Sequence, residues 1–226
     1  MKLNFSVDMN LCLKEIKDFD KIRRIYEGNP YYFFYHYKNL KGKSTKEIIK
    51  FFKNNKKEIE RKLLKKKKLI EKAWMPINNI FFSEIERITE NKWKYKNYEC
   101  HVCCVWGGWY DEYRNKIAVF AFFNKADYLA VIAEELLHLH FWEIMKKLKI
   151  EMKDKDWRNF KDNFYWQFSE CMPCLIFSHS DIKIKLKFGK YPEWKHVRKL
   201  FKKIRPLWEN RKNFMDFLRK ALKVLT

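Results

Sequence analysis

The chain has 226 residues, 47% apolar and 18% aromatic, with five Gly and five Pro. That balance excludes a disordered or fibrous chain and supplies a sizeable core. Fifty basic residues against 28 acidic ones give a formal net charge of +22, which favours anionic partners such as nucleic acid and disfavours cationic ones.

The charge has a plainer reading too. Only 10 of the basic residues are Arg, and Gln occurs once, at Gln167. Phosphate recognition leans on the Arg fork, whereas Lys enrichment with few Gln is a thermophile-like composition. Met1 to Leu13 has neither the apolar run nor the cleavage site of a secretory leader. No stretch reaches membrane-span length, so no membrane association and a cytoplasmic location are expected. The six cysteines are then thiols, metal ligands or redox pairs rather than structural disulfides.

Leu11 to Tyr26 predicts a short helix stopped at Gly28-Asn29-Pro30. Tyr31 to Tyr37 predicts a strand or a buried loop. Ser44, with Glu47 three residues on, predicts a capped start to a long helix. Its Ile48, Phe52, Ile59, Leu63, Ile70 and Trp74 share one face. The opposite face is Lys-rich, including Lys65 to Lys68, and reads as a solvated face or a phosphate-binding stripe. Pro76 ends this helix or starts the next, which carries Phe81, Ile85 and Ile88.

Tyr98 to Trp106 and Lys116 to Phe123 predict two antiparallel strands joined by a loop around Gly107 to Asn115. Asp127 sits where a helix cap belongs. Tyr128 to Leu148 is apolar nearly all round, the mark of a central, buried helix. Phe160 to Phe177 predicts another helix, Ile182 to Phe188 a half-exposed strand, and Pro192 to Leu225 a last helical region broken at Pro206. The expected fold is α+β: a small antiparallel sheet packed on a central helix with further helices. It forms one domain, with residues 1–75 as an N-terminal helical part and 76–226 as the core.

Chemistry concentrates in Val131 to Trp142, where Glu134, Glu135, His138 and His140 interrupt an apolar helix. A carboxylate buried without compensation costs several kcal/mol, so a metal, a basic partner or water must neutralise these groups. Glu134 and His138 are one turn apart and point the same way; Glu135 is turned by about 100°. One metal would bind Glu134 and His138 while Glu135 reaches its water. His140, turned by about 200° from His138, faces elsewhere, hydrogen-bonded in the core. The plainer alternative pairs both glutamates with Lys or Arg and leaves His138 as a satisfied core residue.

The run Glu134-Glu135-Leu136-Leu137-His138 resembles the His-Glu-x-x-His helix of the zincin metallopeptidases, of the glutamate-ligand kind, over residues 98 to 178. The resemblance implies a zincin-like fold for 76–226. It implies a metal held by Glu134, His138 and Glu170, with Glu135 as catalytic general base. It also implies a peptide or protein substrate laid along the edge of Lys116 to Phe123. Glu134 replaces the family's first His. This makes the ligand set more anionic, lowers Lewis acidity, and suits iron or manganese as well as zinc. Either a hydrolase or a catalytically silent binding protein, one using its Lys-rich faces for nucleic acid, follows.

Three other constellations compete. Glu135, His138, Glu170, Glu193 and His196, with Glu84 or Glu86, resemble a di-iron carboxylate set. Cys171-Met172-Pro173-Cys174 resembles a thioredoxin-like redox motif, with Phe164 to Phe168 as the preceding strand. Cys100, Cys103 and Cys104 with Cys171 and Cys174 offer a four-Cys zinc site. Buried thiols packing as small hydrophobes are the expected reading of these cysteines.

Overall fold

A computed structural model describes residues 1–17, 31–105, 107–111, 113–149, 164–178 and 197–225. The expected strand at 182–188, the stop at 28–30, and Glu193 and His196 lie outside the described residues.

The architecture is α+β. Among the described residues four strands, β1 (Lys2–Ser6), β2 (Asn97–Cys103), β3 (Trp109–Asp111) and β4 (Lys116–Phe120), form one sheet in the order β1-β2-β4-β3. The helices described are α1 (Met9–Lys17), α2 (Tyr31–His36), α3 (Thr45–Asn54), α4 (Lys56–Thr89), α5 (Lys125–Lys147), α6 (Phe164–Phe177), α7 (Arg198–Glu209) and α8 (Phe214–Leu225).

The described residues gather into two compact units. One comprises Lys2–Pro76 and Asn97–Glu135; the other comprises Met1, Ile77–Lys96 and Leu136–Thr226. Both α4 and α5 are continuous helices that begin in the first unit and end in the second.

The first unit holds the sheet. β2 runs parallel to both β1 and β4, and only β3 is antiparallel, to β4. The expected antiparallel pairing of the two central segments is therefore corrected. Ile117 to Phe120 and Cys100 to Cys103 are buried on both faces of the sheet. Strands buried on both faces lose the alternation that marks a half-exposed hairpin, and continuous apolar runs are the signature of parallel strands.

Between β2 and β4 the chain crosses the end of β4 to reach its far side. Gly107 makes this crossing: a Cβ there would collide with the backbone nitrogen of Phe120. Gly108 follows with φ +83° and donates its N–H to the Ala118 carbonyl at 2.8 Å. A side chain would be obstructed at the first position and strained at the second.

Ser44 caps α3 as expected. It accepts from the Glu47 N–H at 3.3 Å, while the Glu47 carboxylate accepts from the Ser44 N–H at 2.8 Å. Two departures follow. The long helix breaks at Asn55 into α3 and α4, and Pro76 lies inside α4 rather than at an end. Tyr31–His36 is a helix rather than strand or loop. Its Phe33 stacks on Phe52 at 6.1 Å, so tertiary aromatic packing outweighs the strand preference of the segment. The cap of α5 is Asn124, whose side chain accepts from the Asp127 N–H at 3.0 Å; Asp127 itself lies in the first turn.

The second unit is helical. Trp93 packs edge-on against Phe82 at 4.8 Å and donates its indole N–H to the Phe82 carbonyl at 3.0 Å. Phe141, Phe168, Phe217 and Trp208 continue the aromatic core across α5, α6, α8 and α7. Pro206 lies within α7, which ends at Asn210.

Candidate metal centre

Helix α5 is apolar all round, and Ile132, Ala133, Leu136, Leu137, Phe141, Ile144 and Met145 are buried on its several faces. No polar face is left for its charged residues. Glu134, Glu135, His138 and His140 are therefore buried as well.

His138 is 2% exposed, and burial pulls its imidazole down to about 3, so it is neutral at ordinary pH. Glu170, on α6, brings a carboxylate oxygen to 3.5 Å from His138 Nε2. With a neutral imidazole this is not an ion pair, and 3.5 Å is long for a strong hydrogen bond. Two ligands of one tetrahedral ion, each bonded at about 2.1 Å, lie about 3.4 Å apart. Glu134 is one turn before His138 on the same helix. Ligand atoms of Glu134, His138 and Glu170 all fall within 4.8 Å of one another.

The three residues singled out as ligands from sequence thus converge. Their donor set fits a divalent cation: two carboxylates offset its charge, and a neutral imidazole adds a nitrogen. Glu134 and His138 are buried and Glu170 is part-buried, its side chain 13% exposed against 3% for His138.

Glu135 points elsewhere, as its 100° offset requires. A Cβ on Gly108 would lie 3.5 Å from its Oε1, and its charge helps burial push the Cys100 thiol up. Gly108 leads directly into β3, so Glu135 lies beside the start of that strand. β3, not β4, is the outer strand here; β4 is paired on both sides. The expected substrate-binding edge on Lys116 to Phe123 is corrected accordingly.

His140 behaves as expected. Its Nε2 lies 2.9 Å from Thr89 Oγ1, and its ring stacks on Trp93 at 4.3 Å. The Thr89 hydroxyl donates to the Ile85 carbonyl at 2.7 Å, so it accepts from His140, which places the proton on Nε2.

The competing constellations fare differently. Glu84 is bound by Arg87 at 2.8 Å, and Glu86 accepts from Lys92 and the Trp93 N–H, so neither is the spare carboxylate of a di-iron set. Phe164–Phe168 is helical, and Cys171 and Cys174 lie inside α6 rather than at a helix start, which removes the thioredoxin-like reading. Among the described residues, no four-Cys group forms. A second cluster does: Cys12, Glu15 and Cys103. Sequence reasoning missed Cys12 and Glu15. The available signal was their three-residue spacing on one helical face.

A cavity of about 350 Å³ is lined by Leu175, Phe201, Arg205, Trp208, Glu209 and Arg211, and its lining brings no histidine or cysteine. Geometry and donor type favour the Glu134 group over that cavity as the seat of chemistry.

No family model, no curated protein and no solved structure matches this chain. Among the described residues, no helix is long and apolar enough to cross a membrane.

Proposed function

We propose that Glu134, His138 and Glu170 hold a divalent metal, zinc first with iron or manganese as alternatives, in a metal-dependent hydrolase of the peptidase kind. One observation carries this reading: an imidazole and two carboxylates from α5 and α6 meet within 4.8 Å in an otherwise apolar interior. A cation bound there supplies Lewis acidity.

The residues of this chain then divide the work. His138, neutral through burial, keeps a nitrogen lone pair for the ion. Glu135, beside Gly108 and the start of β3, accepts the proton of the attacking water. Among the described residues β3 has a sheet neighbour on one side only, so an extended peptide added to its outer edge runs past Glu135. That placement supports a peptide over a small-molecule substrate.

The test is metal analysis of the purified full chain together with turnover of a fluorogenic peptide library. Relative to the wild type, His138→Ala and Glu170→Ala should each lose one equivalent of metal, and Glu135→Gln should lose none. Glu135→Gln should lower turnover by about 10²-fold or more, the usual contribution of a general base. A metal content equal to that of the wild type in His138→Ala ends the proposed centre; unchanged turnover in Glu135→Gln ends the hydrolase while leaving the centre standing.

A further inference from the structure

The second buried cluster lies wholly within the unit that contains the sheet. Cys12 and Glu15 stand one turn apart on α1, and Cys103 ends β2. Their ligand atoms lie within 4.8 Å of one another. Cys12 and Cys103 are at most 1% exposed, and Glu15 is 7% exposed. Cys104, also fully buried, lies beside Cys12. Trp109, the first residue of β3, donates its indole N–H to Glu15 Oε1 at 2.7 Å, fixing that carboxylate in place.

We propose that Cys12, Cys103 and Glu15 form a buried structural site for a thiophilic divalent cation, zinc(II), independent of the Glu134 centre.

Three arguments support it. A tetrahedral zinc with sulfur bonds of about 2.3 Å places its sulfur donors about 3.8 Å apart, within the spread found here. Several thiols together select zinc over magnesium or calcium, which take oxygen ligands. Finally, a carboxylate among thiols in the interior is a costly neighbour unless a cation offsets it. The indole of Trp109 is the outer hydrogen bond that orients the Glu15 ligand. Burial of every member argues against a catalytic or redox thiol, which needs access to its reaction partner. Buried ligands drawn from two elements instead suit a structural ion, here joining α1 to the end of β2.

Cobalt(II) substitution tests this on the full chain. A cobalt–thiolate charge-transfer absorption should appear, vanish in Cys12→Ser and Cys103→Ser, and persist in His138→Ala and Cys171→Ser. The oxygen- and nitrogen-based Glu134 centre cannot produce that absorption, so the two proposals fail separately. Should the cysteine variants not fold, Glu15→Gln keeps every thiol and the residue's shape. It should weaken zinc retention against a competing chelator at least tenfold. Cobalt bound without the thiolate band, a band surviving Cys12→Ser, unchanged retention in Glu15→Gln, or a Cys12–Cys103 disulfide in the isolated chain would each overturn the proposal.

Discussion

His138 and His140 lie two positions apart on one helix and meet different surroundings. His138 faces the carboxylate of Glu170; His140 lies on Trp93 and donates to Thr89. Burial pulls both imidazoles from their usual range to about 3. A depressed folded-state value favours the neutral form, so the stability that His140 contributes is complete above about pH 6.5. It is lost as pH falls toward 3, because the unfolded chain binds the proton first. The loss amounts to at most about 1.4 kcal/mol per pH unit for one histidine. Urea unfolding at pH 7.5 and 5.5 should show the wild type losing stability. His140→Gln, which keeps a donor for Thr89 and cannot titrate, should lose less. Equal losses in the two proteins would contradict a neutral, buried His140.

The directions in which residues 134, 138 and 140 point were legible from their angular offsets alone, because a helix fixes those angles locally. The meeting of Cys12 and Glu15 with Cys103 was not, because Cys103 is 91 positions away from Cys12 and the three-residue spacing of Cys12 and Glu15 does not point to it.

At the level of elements, local chemistry set the boundaries that it controls and left strand direction open. The Ser44–Glu47 capping box formed as its spacing demands. Pro76 did not break α4: its fixed φ is helical, and the flanking apolar residues Trp74 and Phe81 are buried on either side of it. Strand pairing was misjudged because double-sided burial removes the period-two signal.

The crossing at Gly107 gives a sharp expectation. Gly107→Ala must displace the backbone of β4 and should cost about 3 kcal/mol, the upper range for overpacking. Gly42→Ala meets no atom within 4 Å and carries only the strain of φ +81°, about 1 kcal/mol. Comparing the two midpoints in urea checks this. Similar costs would mean that the close approach to Phe120 is not made in solution.

For the molecule as a whole, charge and fold answer to different causes. The excess of 22 positive charges is spread over surfaces such as α4, where Lys57, Lys65, Lys68 and Lys72 are exposed. Within the same run, Lys67 is tied to Glu71 at 2.9 Å and Lys66 lies over the Phe122 ring at 5.9 Å. Such a surface predicts weak attraction to nucleic acid without sequence preference. Retention on a mixed-sequence oligonucleotide should be measurable at low salt and fall steeply as salt rises, since phosphate contacts release counterions. Retention that ignores salt would point to a specific interface instead.

Composition, periodicity and capping residues determined the α+β class, the buried helix α5 and its inward-facing acids, because each depends on neighbours a few positions away. Only the tertiary structure decided that β2 and β4 run parallel, that Glu170 meets His138, and that Cys12 meets Cys103. Those outcomes depend on how distant apolar faces pack together, and a single residue's pattern in the chain carries no record of which distant face it will meet.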